Sequence, residues 1–455
     1  MITGKYKGSI QKLTKIQNNM FYETLITIMK KNIWIWALAA VTLVTACSKN
    51  DDPVTPEPEQ NVTEDDFESP DGQVVIQLGA GDYTASASTT VTRAPLTNES
   101  FHDGTRLIGI YAVSTTGDWN ETNMLLNNRK AKVTDIERNA EEGADVSKKN
   151  PDGNPAVTVP YKISLYDENG SAAGQVEYYP MISDKNYAFY GYGPYDDKNI
   201  VETKTKGATV TFNNFNGSQD IIWNKAEAPT IAAGAIYESQ GVLTTNSISG
   251  YNAKYIRMLK YHRELNTAGN SKENYPWVPN IGFTHQLTQL KFQVVPAEKQ
   301  STEDKNAAGK LFVKDIKIKS HGKPTLNIID GTLITNGTDD LSMLGVTSGT
   351  TFTDDVAKTN FQPSSSGTTV GYLMLVPAAS YQLEVTVIPP SQGNESTPDE
   401  AKAQTVSLTL KPVTGAFEAG CSYNIKIGIY AMQTVEADAS LTDWTDKGDV
   451  KIDVE

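Results

Sequence analysis

Few residues in this chain of 455 have the type and spacing to do covalent chemistry. The thiols are Cys47 and Cys421, and the imidazoles are His102, His262, His285 and His321. Two distant cysteines make neither a disulfide framework nor a thiolate zinc site, and four scattered histidines share no ligand spacing. There is no His-Glu-x-x-His, no Gly-x-Ser-x-Gly and no phosphate loop ending in Gly-Lys-Ser/Thr. Gly191-Tyr192-Gly193 runs into Pro194 and reads as a turn. Asp167-Glu168-Asn169-Gly170 reads as a hairpin turn, because the spaced acids of a calcium loop are missing. The pairs Asp339-Asp340 and Asp354-Asp355 sit in polar stretches and read as solvated loop charge. Cys421, at a strand start, reads as a small buried hydrophobe. No catalytic residue, metal site or cofactor is expected, and the chain reads as a non-enzyme. The aromatic group Tyr178, Tyr179, Tyr187, Phe189, Tyr190, Tyr192 and Tyr195 can either stack sugars or fill a β core. The second is the commoner use of tyrosine on half-buried strands.

The composition narrows the partners. With 40 Lys and Arg against 54 Asp and Glu, the net charge is −14, which argues against nucleic acid. A 38% hydrophobic content is enough to build packed cores. Much of the acidity is local: residues 47–93 hold ten acids and two basic groups, with Pro53, Pro56, Pro58 and Pro70 among them. Within it, residues 48–73 are expected to stay extended and unpacked as a linker.

The elements that must position any site begin with a leader. Met29-Lys30-Lys31 precedes an apolar run at residues 33–44, too short for the ~20 residues of a membrane-spanning helix and suited to a signal h-region. The run ends Val44-Thr45-Ala46-Cys47, which resembles a bacterial lipobox. Cys47 is therefore the expected lipidation site, residues 29–46 the signal peptide and residues 1–28 an upstream extension of the true start. Ser48 with Asp51-Asp52 resembles the acidic export tag of outer-surface lipoproteins. Next, Val74, Ile76 and Leu78 alternate as one face of a strand, and residues 79–90 read as a loop. From Arg106 onward, short runs of Val, Ile, Tyr and Thr alternate with Gly, Asn, Asp and Pro. The clearest are 107–113, 157–165, 175–179, 187–192, 289–295, 311–319, 371–376, 382–388, 405–410 and 423–430. The expected fold is all-β, with two tandem β-sandwich (transthyretin-like) domains at 94–280 and 281–455. One helix is expected, around 253–265. At the end of the chain Val450, Ile452 and Val454 alternate with charged residues, a free-ended strand suited to β-augmentation.

Several of these features together resemble the fimbrillin family, the subunits and accessory proteins of type V pili in anaerobic Gram-negative bacteria. They are Cys47, then Val91-Thr92-Arg93-Ala94, Arg106-Leu107-Ile108-Gly109-Ile110-Tyr111-Ala112, Tyr178-Tyr179-Pro180, the run Tyr187 to Tyr192, and Ile222-Trp223. Phe283, His285 and Leu287 resemble the family's phenylalanine-x-histidine-x-leucine strand start. Val376-Pro377, Gly420-Cys421-Ser422-Tyr423 and Leu441-Thr442-Asp443-Trp444 match its later turns and C-terminal motif, with Cys421 in a slot that is typically polar. The resemblance implies export as a lipoprotein to the outer membrane surface, then cleavage by an arginine-specific protease between Arg93 and Ala94. The strand carrying Val74, Ile76 and Leu78 would then leave, and a donor strand such as Val450, Ile452 and Val454 of a neighbouring fimbrillin-type subunit would take its place. The product would be a fimbrium, with a host or bacterial surface as further partner. The other reading is a lipid-anchored, glycan-binding β-sandwich protein that does not polymerise.

Overall fold

In a computed structural model the described residues are 62–80, 103–134, 138–139, 158–181, 185–226, 230–231, 248–257, 278–348, 351–356, 360–431 and 434–442, apart from 65, 160, 168 and 336. All of them belong to one unit, Asn61–Glu455. Cys47, Arg93, Ala94, Val450, Ile452 and Val454 lie outside the described residues.

The fold is β throughout, with short helical pieces. Its C-terminal part is a sandwich. A six-stranded sheet runs in the order Thr351–Val356, Leu344–Ser348, Thr369–Leu375, Thr288–Pro296, Ser422–Ala431, Thr434–Thr442. A four-stranded sheet runs Asp339–Ser342, Phe312–Ser320, Tyr381–Ile388, Gln404–Leu410. Alternation decides which side chains meet. In Tyr381–Ile388, residues Leu383, Val385 and Val387 are buried while Gln382 is exposed. They share a core with Leu290, Phe292, Ile425 and Ile427 of the other sheet. Cys421 is buried in this core, just before the Ser422–Ala431 strand.

The N-terminal part is an eight-stranded sheet in the order Asn280–Ile281, Gly79–Ala80, Tyr161–Leu165, Met124–Thr134, Asp103–Ser114, Tyr187–Gly193, Ile222–Lys225, Thr284–His285. Its two outer strands belong to one short segment, residues 280–285. Asn280 and Ile281 pair with Gly79 and Ala80, whereas Thr284 and His285 pair with Trp223 and Ile222. The sheet therefore curls until its two edges meet at a common piece of chain, leaving no free edge there. One core lies on the side of Ile108, Ile110, Ala112, Val133, Ile163, Phe189 and Phe283. Tyr111, Val113 and Tyr192 point to the other side and join the sandwich core. Residues 108–113 are thus buried on both faces, which is why they form an unbroken apolar run. Gly109 is needed here: a Cβ at this position would lie 2.2 Å from the Tyr192 ring.

Strand pairing crosses residue 280 in two places. Besides the edges at 280–285, the Gly207–Thr211 strand pairs with Thr325–Asn327, and the Trp223 indole donates to the Ile328 carbonyl at 2.9 Å.

Several sequence expectations need correction. Gly79 and Ala80 are a strand, not the start of a loop. Asp339-Asp340 and Asp354-Asp355 lie on strands, Asp339 and Asp340 in register with Ser320 and Lys319. Gly191-Tyr192-Gly193 ends a strand that turns only after it. Residues 175–179 make a single bridge, Tyr178 to Val75, in place of a full strand. The expected helix is present at 253–257, with 258–265 outside the described residues. A second helix, Thr302–Ala308, is capped by Ser301, whose hydroxyl accepts from the Asp304 amide at 3.1 Å.

Candidate functional site: the strand slot filled by residues 62–80

The leader runs first as a strap and then as a strand. At its start the Thr63 amide and hydroxyl both donate to the Asp66 carboxylate, at 2.6 and 2.9 Å. This turn presents Glu64 to the sheet. Its carboxylate lies 2.5 Å from Lys162 Nζ and accepts from Ser164 Oγ at 2.9 Å. Lys162 and Ser164 are both buried, on the face of their strand opposite Ile163 and Leu165. A charge held this far from water needs its partner.

A tight reversal follows. The Ser69 amide donates to Gln73 O at 2.9 Å, and Gly72 adopts a φ of 81°, a conformation that favours glycine. Ser69 and Gln73 hydrogen-bond the Asp71 carboxylate and hold it below its usual ionisation range. Arg257, at the end of the 253–257 helical turn, clamps the reversal from outside. Its Nε lies 2.5 Å from Glu68 Oε1 and its Nη2 donates to the Gly72 carbonyl.

The strand then enters the slot. The Tyr179 amide donates to Val74 O at 3.0 Å and the Ile76 amide to Glu177 O at 2.7 Å. Further along, the Ile163 amide donates to Leu78 O and the Gly79 amide to Pro279 O, each at 3.0 Å. Gly79 and Ala80 are therefore flanked on both sides, antiparallel to Lys162 and Tyr161 and parallel to Asn280 and Ile281. Val74, Ile76 and Leu78 are buried as the alternation predicts, but Val75 is buried as well. The reason is that residues 67–75 double back, the Val75 amide donating to Phe67 O at 3.0 Å, so both faces are covered. Val74, Ile76 and Leu78 share a core with Ile163, Leu165, Tyr179, Tyr255, Val278 and Ile281.

The strength of this docking follows from burial. At ~1.5–3 kcal/mol for each of Val74, Val75, Ile76 and Leu78, the apolar contacts amount to roughly 6–12 kcal/mol before ordering costs. None of the contacts described for residues 62–80 runs through Arg93, so a cut there leaves them all intact.

The other end of the 280–285 segment carries a buried pair that sequence reasoning did not find. His285 Nδ1 lies 2.6 Å from Asp220 Oδ2, and both side chains are almost wholly out of solvent. Phe283 and Leu287, the other members of that motif, are fully buried, one in each core. In sequence, Asp220 lies far from His285 and carries no mark of the partnership. The tyrosine group is mostly core. Tyr179, Tyr187, Phe189 and Tyr192 are buried, whereas Tyr178, Tyr190 and Tyr195 are half-buried. Among the described residues there is no group of three side chains able to hold a metal, and no helix long and apolar enough to cross a membrane.

Residues 261–444 match the family described as Fimbrillin-like. Over that span the chain is similar to the fimbrillin-like family. The matched residues take in the far wall of the slot, Asn280–Ile281, and the sandwich strands that follow it. Among solved structures, a fimbrial protein from Bacteroides vulgatus is 15% identical, covering 81% of this chain and 99% of its own, with a TM-score of 0.42. The fimbrial anchor protein Mfa2 from Porphyromonas gingivalis is 9% identical, covering 81% of this chain and 98% of its own, with a TM-score of 0.33. No curated protein matches the chain.

Proposed function

We propose that this chain is a cell-surface lipoprotein subunit of a fimbrium, assembled when a strand from a neighbouring subunit replaces its own residues 74–80. One observation carries the reading. The Gly79–Ala80 strand is hydrogen-bonded on both sides within an otherwise closed sheet, so its departure opens a single slot with two facing, unpaired edges. Such a slot accepts an extended apolar strand by β-augmentation. The C-terminal run Val450, Ile452 and Val454 has the alternation to fill it. Cys47 would carry the acyl anchor at the outer membrane, and Arg93-Ala94 would be the cut that frees the leader from the first domain.

Because the leader's contacts survive the cut, cleavage makes the leader replaceable without expelling it. Assembly then needs a competing strand, which keeps a cut subunit closed until a neighbour arrives. The test treats the full chain with an arginine-specific protease. The expected result is a new terminus at Ala94, with oligomers forming in step with loss of the 47–93 fragment. Deleting residues 449–455 should abolish the oligomers and leave a folded monomer. An uncut chain, or cut chains that stay monomeric at high concentration, overturns the reading. Mass spectrometry of the protein from cells should find Cys47 acylated in the uncut form.

A further inference from the structure

A cavity of about 320 Å³ opens between the loop after the Tyr187–Gly193 strand and the loop at 212–219. It lies apart from the strand slot, and the strand-exchange reading makes no use of it. Its floor is apolar and fixed, since Phe212 and Phe215 belong to the sandwich core. Tyr195 joins them, its amide tied to the Leu107 carbonyl at 2.8 Å. The rim is polar. Asp196, Asp197, Asn199, Asn214 and Gln219 bring carboxylates and carboxamides to the opening.

Both loops are held in place by internal hydrogen bonds. The Asn199 carboxamide donates to Pro194 O at 3.1 Å, and the Gln219 carboxamide donates to Asn214 O at 2.8 Å. Burial, helped by the charge of the Asp197 carboxylate, keeps the Tyr195 phenol protonated above its usual range. Lys130 also lines the cavity, but its ammonium is engaged elsewhere: it donates to Gly170 O at 3.0 Å and lies 4.6 Å over the Tyr166 ring. The chemistry at the mouth is therefore two carboxylates and several amides over aromatic carbon, without a cation committed to the cavity.

We propose that this cavity binds a neutral sugar residue, a hexose or N-acetylhexosamine. The volume suits a small ligand. The half-buried Tyr195 ring, backed by buried Phe212 and Phe215, offers a face to the C–H side of a pyranose, and acceptor-rich side chains match its hydroxyls. The paired carboxylates exclude an acidic sugar by like-charge repulsion.

The test is saturation-transfer NMR on the full chain with glucose, galactose, mannose, N-acetylglucosamine and N-acetylneuraminic acid as probes. At least one neutral sugar should take up saturation, and N-acetylneuraminic acid should not. Tyr195→Ala and Asp197→Asn should each weaken that sugar by about tenfold. Asp197 is exposed, so its variant keeps the fold if Tyr195→Ala does not. The proposal is overturned by silence from every neutral sugar, by equal binding of N-acetylneuraminic acid, or by signals that Asp197→Asn leaves unchanged.

Discussion

The N-terminal sheet and the C-terminal sandwich are held together in different ways. In the sandwich, Thr288–Pro296 pairs in parallel with Ser422–Ala431 over eight registered residues, and Ser422–Ala431 pairs along its length with Thr434–Thr442. In the N-terminal sheet, the strand that completes the curl is Gly79–Ala80, with two registered pairs on each side. Its remaining support comes from side-chain burial and from the Glu64 and Arg257 contacts. Long ladders distribute stability over many bonds. A short seam concentrates it in a few side chains and lets one piece leave without unfolding the rest.

Deleting side chains in the two regions should break this comparison or sharpen it. The largest effect is expected from Ile427→Ala in the sandwich core, which should cost ~2–5 kcal/mol and lower the single global transition in denaturant. A smaller effect, about 2 kcal/mol, is expected from Leu78→Ala, since the leader can undock instead of the fold keeping a cavity. Hydrogen exchange should place that loss at the amides of Ile163 and Gly79 and leave residues 422–431 protected. Equal loss of protection in both regions would refute the distinction. Glu64→Gln removes the partner of buried Lys162 and should loosen the same seam by ~1–2 kcal/mol, the range of a charged hydrogen bond partly screened by water.

The smallest effect concerns pH. Asp71 is held below its usual value of 3.8 by Ser69 and Gln73, so its charged form is favoured in the docked leader. That contribution is full above 3.8 and disappears as pH falls through the lowered value. Seam exchange should therefore respond to Asp71 only in acid, and Asp71→Asn should flatten that acid response. An identical acid profile in the variant would remove Asp71 from the account.

Sequence alone was most legible where period two is cleanest. Leu383, Val385 and Val387, and Ile425, Ile427 and Ile429, point to their strands and their core at once. The Met124–Thr134 strand was missed because its pairing slips three times and Asn128 takes a φ of 46°, which breaks the alternation. The Thr302–Ala308 helix was missed although Ser301 and Asp304 carry an N-cap signature; with so few turns it has little apolar periodicity to read. For the slot, alternation identified Val74, Ile76 and Leu78, but not that Val75 is also buried. It gave no hint that Glu64, Arg257 and Lys162 cooperate, since those contacts join residues about 100 or more positions apart. The Asp220–His285 pair was hidden because its members lie on separate segments that only the folded sheet brings together.

The segment at residues 280–285 also sets an order in time. A chain emerging from the ribosome or a secretion channel makes the leader strand first, yet the strand's parallel partner arrives some two hundred residues later. Until then the first sheet has two open edges and an unclosed core, and its hydrophobic strands are exposed to any other chain nearby. A truncation after residue 279 would leave the polypeptide in that state, because the clasp that ends it lies beyond the stop. The sheet that begins earliest in the sequence thus cannot close until residues 280–285 have emerged, just ahead of the first sandwich strand at Thr288–Pro296.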